Sequence, residues 1–232
     1  MRLTSDSQTQ PISMKFKALL FDLDGTLADS RADITNSVNY TLQELELPTL
    51  PDEMIHGFIG EGVRLLLGRA LNHIRQTQAS EAEIDAALAV YQRQYHAHLL
   101  DTTALYPEVS ETLRSFAHLP KAVVTNKPYG FTLPLLEGLN LLPHFKVVLG
   151  GDSLATRKPD PLMLATAAQR CEVALNDCLM IGDSWVDIAA GRNAGIVTVG
   201  YTQGFRGKDE LVKAGADYLI DRFSELRAII EG

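Results

Sequence analysis

Five short aliphatic runs, each closing on a polar residue or a glycine or followed by one, restrict this chain to few architectures. They are Ala18–Asp22, Ala122–Thr125, Lys146–Leu149, Cys178–Gly182 and Ile196–Gly200, with a weaker sixth at Asp217–Ile220. The runs are nearly continuous in apolar character and do not alternate with polar residues. That pattern suits strands of a parallel sheet covered on both faces, because neither face of such a strand meets water. Helical periods lie between the runs. Val109, Leu113 and Phe116 share one helical face, and Pro161 suits the first turn of a helix running to about Arg170. Strand–helix alternation of this kind predicts an α/β fold, a Rossmann-like, doubly wound parallel sheet.

Residues 30–103 break the alternation. Ile34, Val38, Leu42 and Leu45 mark one amphipathic helix, and Ile84, Leu88, Tyr91, Tyr95 and Leu99 a longer one. Pro48, Pro51, Gly57, Gly60 and Gly62 separate the pieces. The expected organisation is a small all-helical cap over 30–103, inserted into a catalytic core made of 15–29 and 104–232. Asp29–Ser30 and Tyr106–Pro107 then form the two linkers, about which the cap would move. Residues 1–14 are polar and precede the first strand-like run, so a disordered extension that adds nothing to the fold is expected there.

A formal net charge of −8 argues against nucleic acid as a partner, since that role needs basic stripes. No apolar run approaches a membrane span, and the N-terminal stretch lacks the apolar segment of a signal peptide. Cys171 and Cys178 have no metal-type spacing and read as reduced thiols, so a cytoplasmic protein is expected, as monomer or homodimer.

The chemistry concentrates where the runs end. The first delivers Asp22-Leu23-Asp24-Gly25-Thr26, two carboxylates two residues apart at the mouth of the sheet, where α/β proteins bind ligands. Buried like charges side by side are costly without cations, which makes a purely structural role a poor reading. Thr125-Asn126-Lys127, Lys158-Pro159 and Gly182-Asp183-Ser184-Trp185-Val186-Asp187 follow later runs in the same manner. Each is weak alone. Their joint order on one sheet is what points to an active site.

The segments DLDGT, VVTN, RKP and GDSWVD resemble, in this order, the four motifs of the haloacid dehalogenase superfamily, and the resemblance runs from about Lys15 to the C-terminus. It implies that Asp22 is the nucleophile that takes the phosphoryl group and Asp24 the general acid and base. It implies Mg²⁺ as cofactor, held by the Asp22 side chain, the Asp24 backbone carbonyl and Asp183, with Asp187 supporting from behind. Thr125, Asn126 and Lys158 would bind the phosphoryl oxygens. Having Asp24 argues for a phosphatase and against a dehalogenase, since an alkoxide leaving group requires a proton.

The whole pattern, with the cap stretch Phe58–Leu67, looks like the bacterial phosphoglycolate phosphatases, and Arg64 becomes the candidate for a substrate carboxylate. A small-molecule phosphate ester is the expected partner. Rival readings are a sugar-phosphate phosphatase, a pyrophosphatase or a β-phosphoglucomutase-like phosphomutase. A non-catalytic phosphate-ligand-binding protein is the rival from another class, and it would be expected to have lost one of the essential groups.

Overall fold

The computed structural model describes residues 15–232; the extension expected over 1–14 lies outside them. Among the described residues, strands β1 (Ala18–Phe21), β4 (Lys121–Val124), β5 (Val147–Leu149), β6 (Cys178–Gly182), β7 (Val197–Tyr201) and β8 (Tyr218–Ile220) form one parallel sheet. Its order is β5-β4-β1-β6-β7-β8. β2 (Ala28–Asp29) and β3 (Ala104–Leu105) pair antiparallel in a separate ribbon. The helices are α1 (Arg31–Glu44), α2 (Asp52–His56), α3 (Val63–Arg75), α4 (Glu81–His98), α5 (Val109–Ser115), α6 (Tyr129–Gly138), α7 (Leu162–Cys171), α8 (Trp185–Ala194), α9 (Lys208–Ala214) and α10 (Leu226–Glu231).

The apolar runs behave as two-faced strands. In β1, Leu19 and Phe21 enter one core while Ala18 and Leu20 enter the other. In β6, Leu179 and Ile181 face the first core, and Cys178 and Met180 the second. The period of two sends successive side chains to opposite faces, so both must be apolar for the strand to be buried. Met163, Leu164, Ala167 and Cys171, from α7, cover the second face. Val109, Leu113 and Phe116 cover the first. Each fully buried aliphatic or aromatic side chain contributes about 1.5–3 kcal/mol, and these two layers supply most of what orders the sheet. Cys171 and Cys178 are free and buried, and burial pushes both thiols up, Cys178 to about 12. None of the helices is long and apolar enough to cross a membrane among the described residues.

β1 lies at the centre, with β4 on one side and β6 on the other. The chain leaves β1 in both directions across the sheet, and the carboxyl end of β1 is therefore the switch point where a crevice opens.

Between β2 and β3 the chain forms only helices α1 to α4 and their loops. Ser80 starts α4 with a capping box: its hydroxyl accepts from the Glu83 amide, and the Glu83 carboxylate accepts from the Ser80 amide. The two linkers to this helical segment are themselves paired, Ala28 with Leu105 and Asp29 with Ala104. A buried carboxylate pins them further. Asp33, on α1, accepts from the amides of Thr102 (3.0 Å) and Thr103 (2.8 Å) and from both of their hydroxyls (2.6 Å each). Burial opposes its charge, but the Thr102 and Thr103 hydrogen bonds outweigh it and lower the carboxyl pKa. A lowered folded value means this contribution is complete above the ordinary aspartate value of 3.8 and is lost as pH falls through the lower folded value. Asp33→Ala is expected to cost about 3 kcal/mol at pH 7, since it strands several buried donors. Urea unfolding of the variant at pH 7 and pH 3 checks this, with a smaller difference expected at pH 3.

Candidate active site

The β1 ladder continues one step past the strand, the Asp22 amide donating to Ile181 O at 2.9 Å. That places the Asp22 side chain at the open edge of the sheet. The chain then reverses over Leu23–Ala28, where the amides of Leu27 and Ala28 both donate to Leu23 O. Gly25 makes the reversal possible: its φ is +85°, and a Cβ there would lie 2.3 Å from Asp183 Oδ2. The turn leaves Asp24 lining the same cavity as Asp22.

Three more strand ends complete the floor. After β4, the Thr125 amide donates to Leu149 O at 3.0 Å, and Thr125, Asn126 and Lys127 are all buried. The loop after β5 carries Lys158, 3% exposed, whose ammonium donates to Asp22 Oδ1 at 2.8 Å and to Asp187 Oδ1 at 2.6 Å. After β6 come Asp183 and, in the first turn of α8, Asp187. The Asp187 carboxylate caps its own helix by accepting from the Ser184 amide (3.1 Å) and hydroxyl (2.7 Å). Asp183 accepts from the Phe205 amide (2.7 Å) and the Thr26 hydroxyl (3.2 Å).

The electrostatics follow from burial. Burial raises the Asp22 carboxyl to about 6 against the pull of Lys158, with repulsion from Asp187 and Asp24 adding to the rise. Asp183 is pushed well above the usual range by burial, then by Asp187 and Asp22. Burial opposes the charge on Lys158, but Asp187 and Asp22 overcome it and hold the ammonium charged.

Carboxylate oxygens of Asp22, Asp183 and Asp187 lie within 4.8 Å of one another, all three residues buried. Hard oxygen donors in this number suit a divalent cation such as Mg²⁺ better than a softer metal. Asp183 is met only by neutral donors among its hydrogen-bond partners, and a divalent ion would supply the positive charge that Asp22 and Asp183 together call for. The residues present fit such an ion.

The structure thus brings Asp22, Asp24, Thr125, Asn126, Lys158, Asp183 and Asp187 to one place. Arg64 is not brought there. Its guanidinium points away from the cavity and pairs with Glu81 and Asp85 on α4. The reason is helical phase: Val63, Leu66, Leu67 and Ala70 form the inward stripe of α3, and Arg64 lies off it. The 57–62 loop meets the core through its backbone, and its Ile59 lines the cavity. Asn126 Nδ2 donates to Gly60 O at 3.2 Å, and Arg206 donates to Ile59 O at 2.7 Å. The Asn126 side chain itself braces the site, its amide nitrogen donating to Gly60 O and Lys158 O.

Four residues not assigned from sequence also enter, Lys127, Tyr91, Tyr95 and Ser30. The Lys127 ammonium donates to both oxygens of Asp24 (2.9 and 3.0 Å) and to the Tyr95 hydroxyl. Tyr95 stacks on Tyr91 at 5.3 Å and meets Phe131 edge-on at 5.0 Å. The Ser30 hydroxyl donates to Asp24 Oδ1. Lys127 directly follows the Thr125-Asn126 pair, which was a signal; Tyr91 and Tyr95 looked like ordinary core positions of an amphipathic helix. The cavity between these groups is about 60 Å³.

Residues 19–201 match the model of the haloacid dehalogenase-like hydrolases. A phosphoglycolate phosphatase from Colwellia psychrerythraea is 38% identical over 214 residues, covering 90% of this chain and 95% of that protein. One from Nitrosospira multiformis is 39% identical over 197 residues, covering 82% and 87%. The crystal structure of a predicted phosphoglycolate phosphatase from Haemophilus somnus superposes with a TM-score of 0.87 at 31% identity, covering 93% of this chain and 98% of that one. The strand-end carboxylates and lysine described above occupy the segment that the family model matches. The chain is a phosphatase of the haloacid dehalogenase-like hydrolase family.

Proposed function

We propose that this phosphatase hydrolyses 2-phosphoglycolate to glycolate and phosphate, with Mg²⁺, through an aspartyl-phosphate on Asp22. The observation that carries the reading is that Asp22 and Asp24 line one cavity, with the Lys158 ammonium donating to the Asp22 carboxylate at 2.8 Å. Mg²⁺ held by Asp22, Asp183 and the Asp24 carbonyl would draw the phosphoryl group toward the nucleophile and offset its charge.

The chain's own groups do the rest. Asp22 attacks phosphorus with the oxygen not committed to Lys158, and the P–O bond to the leaving group breaks. Asp24 gives its proton to the departing oxygen and later takes one from the water that hydrolyses the acyl phosphate. The Thr125 hydroxyl and the Lys158 ammonium meet the phosphoryl oxygens, which positions the group and stabilises its charge. Asp187 holds Lys158 at 2.6 Å and so keeps the ammonium aimed at the reacting centre.

Among the described residues that line the cavity, Lys127 is the one cation, which leaves no cluster to hold the second phosphate of a sugar bisphosphate, as a phosphomutase requires. The names of the relatives from Colwellia psychrerythraea and Nitrosospira multiformis support glycolate as the leaving group.

The test is phosphate release from a panel of metabolite phosphates, with Mg²⁺ and with a chelator. 2-Phosphoglycolate is expected to lead by about tenfold or more in kcat/KM, equal to about 1.4 kcal/mol of transition-state preference. Chelator should abolish turnover and Mg²⁺ restore it. A lead by pyrophosphate or a hexose phosphate would overturn the substrate assignment.

A further inference from the structure

With Arg64 turned outward, the cavity needs another group to recognise an anionic leaving group. Its walls on the leaving-group side are largely apolar, with Ile34, Ile59, Val63, Leu66 and Phe131 among the lining residues. An anionic substituent buried against such walls is costly unless a cation meets it. Among the described residues that line the cavity, Lys127 is the one that carries a positive charge. Its side chain is 4% exposed, and the Tyr95 hydroxyl is its partner from the helical segment.

Position narrows the role. Lys127 touches the Asp24 carboxylate at 2.9 and 3.0 Å. Asp24 must in turn reach the oxygen that leaves phosphorus. In a two-carbon 2-hydroxy-acid leaving group one methylene separates that oxygen from the carboxylate. A cation in contact with the general acid is therefore also within reach of the carboxylate. The three N–H donors of the ammonium meet the two Asp24 oxygens and the Tyr95 hydroxyl, and exchanging one Asp24 contact for a substrate oxygen keeps the other Asp24 contact and the Tyr95 bond.

We propose that Lys127 is the specificity-determining residue of this phosphatase, pairing with a carboxylate on the leaving group while the Tyr95 hydroxyl holds the ammonium in place. This rests on the 2-phosphoglycolate reading and supplies the recognition that Arg64 does not. It also accounts for a lysine so enclosed: the cap-side hydroxyl and the core-side carboxylate fix its ammonium at the junction of the two segments. A substrate short enough to place both its leaving oxygen and its carboxylate at that junction is favoured. Longer acids are disfavoured by distance alone.

The experiment compares 2-phosphoglycolate with 2-hydroxyethyl phosphate, which also has two carbons but carries a neutral hydroxymethyl group in place of the carboxylate. Steady-state kcat/KM for both is measured in the native enzyme, Lys127→Met and Tyr95→Phe, with circular dichroism to check folding. Lys127→Met is expected to lower the ratio of the two kcat/KM values by about tenfold or more, the rate equivalent of one lost charge-assisted hydrogen bond. Tyr95→Phe, which removes one oxygen and keeps the ring packing, is expected to lower the ratio in the same direction, chiefly through KM for 2-phosphoglycolate. If both substrates slow by one common factor in Lys127→Met, the lysine acts only through Asp24 and the proposal is overturned, while the substrate reading survives. An unchanged ratio in Tyr95→Phe overturns it equally should Lys127→Met fail to fold. A native enzyme indifferent to the carboxylate overturns both readings at once.

Discussion

Asp22→Asn is expected to lower kcat by about 10⁴-fold or more on every phosphate ester, because in the proposed mechanism it removes the carboxylate oxygen to which the phosphoryl group is transferred. Stability should move the other way. Burial, with Asp187 and Asp24 adding repulsion, raises the Asp22 carboxyl to about 6 in the metal-free protein. A carboxyl raised on folding favours the folded state only where it is protonated, and that contribution is lost as pH rises from the ordinary value of 3.8 through about 6. Asparagine imitates the protonated form at all pH values. In chelator at pH 7 the variant should therefore melt at an equal or higher temperature than the native protein, with the gap closing below pH 4. Loss of activity together with loss of stability would point to a damaged fold rather than a missing nucleophile. Activity and stability opposed in this way are common where like charges are gathered for chemistry.

Asp24→Asn should give the second-largest effect, and its size should depend on the leaving group. General acid catalysis is worth about 10²–10⁴-fold where an alkoxide must depart. A nitrophenolate needs no proton to leave, so transfer from p-nitrophenyl phosphate to Asp22 should slow far less. In the proposed mechanism the second half-reaction still needs a base for water, the role assigned to Asp24. The variant should thus release one equivalent of nitrophenol quickly and then stall. Lys127 would lose half of its bonding with Asp24, since both carboxylate oxygens accept from it. Circular dichroism controls for that.

The parts of this protein that could be read from sequence are those whose physics is local or repetitive. The strands were legible because burial on both faces demands continuous apolar runs. They fall where expected to within a residue or so, Ala18–Phe21 against a reading of Ala18–Asp22. The gathering of these polar side chains was legible because each strand end carries at least one of them and a parallel sheet puts those ends side by side. The β2–β3 ribbon was not. Strands of two residues have no pattern of their own and exist because the linkers meet. The Asp33 clamp on Thr102 and Thr103 spans 69 and 70 residues and leaves no mark in either local sequence. Arg64 was read as the candidate for a substrate carboxylate, but the phase of Val63, Leu66, Leu67 and Ala70 turns it outward, where it pairs with Glu81 and Asp85. Lys127 was quoted within its motif and left without a role. Its importance lies in contacts with Asp24 and Tyr95, which are distant along the chain.

The most direct test of the central claim is to catch the covalent intermediate. Asp24→Asn would be mixed with excess p-nitrophenyl phosphate and Mg²⁺, quenched in acid within the burst, reduced with borohydride, digested and sequenced by mass spectrometry. An acyl phosphate on Asp22 is reduced to homoserine, so homoserine is expected at position 22 in an amount that matches the nitrophenol burst. Nitrophenol released linearly with no modified residue, or the modification found on any residue other than Asp22, would contradict it.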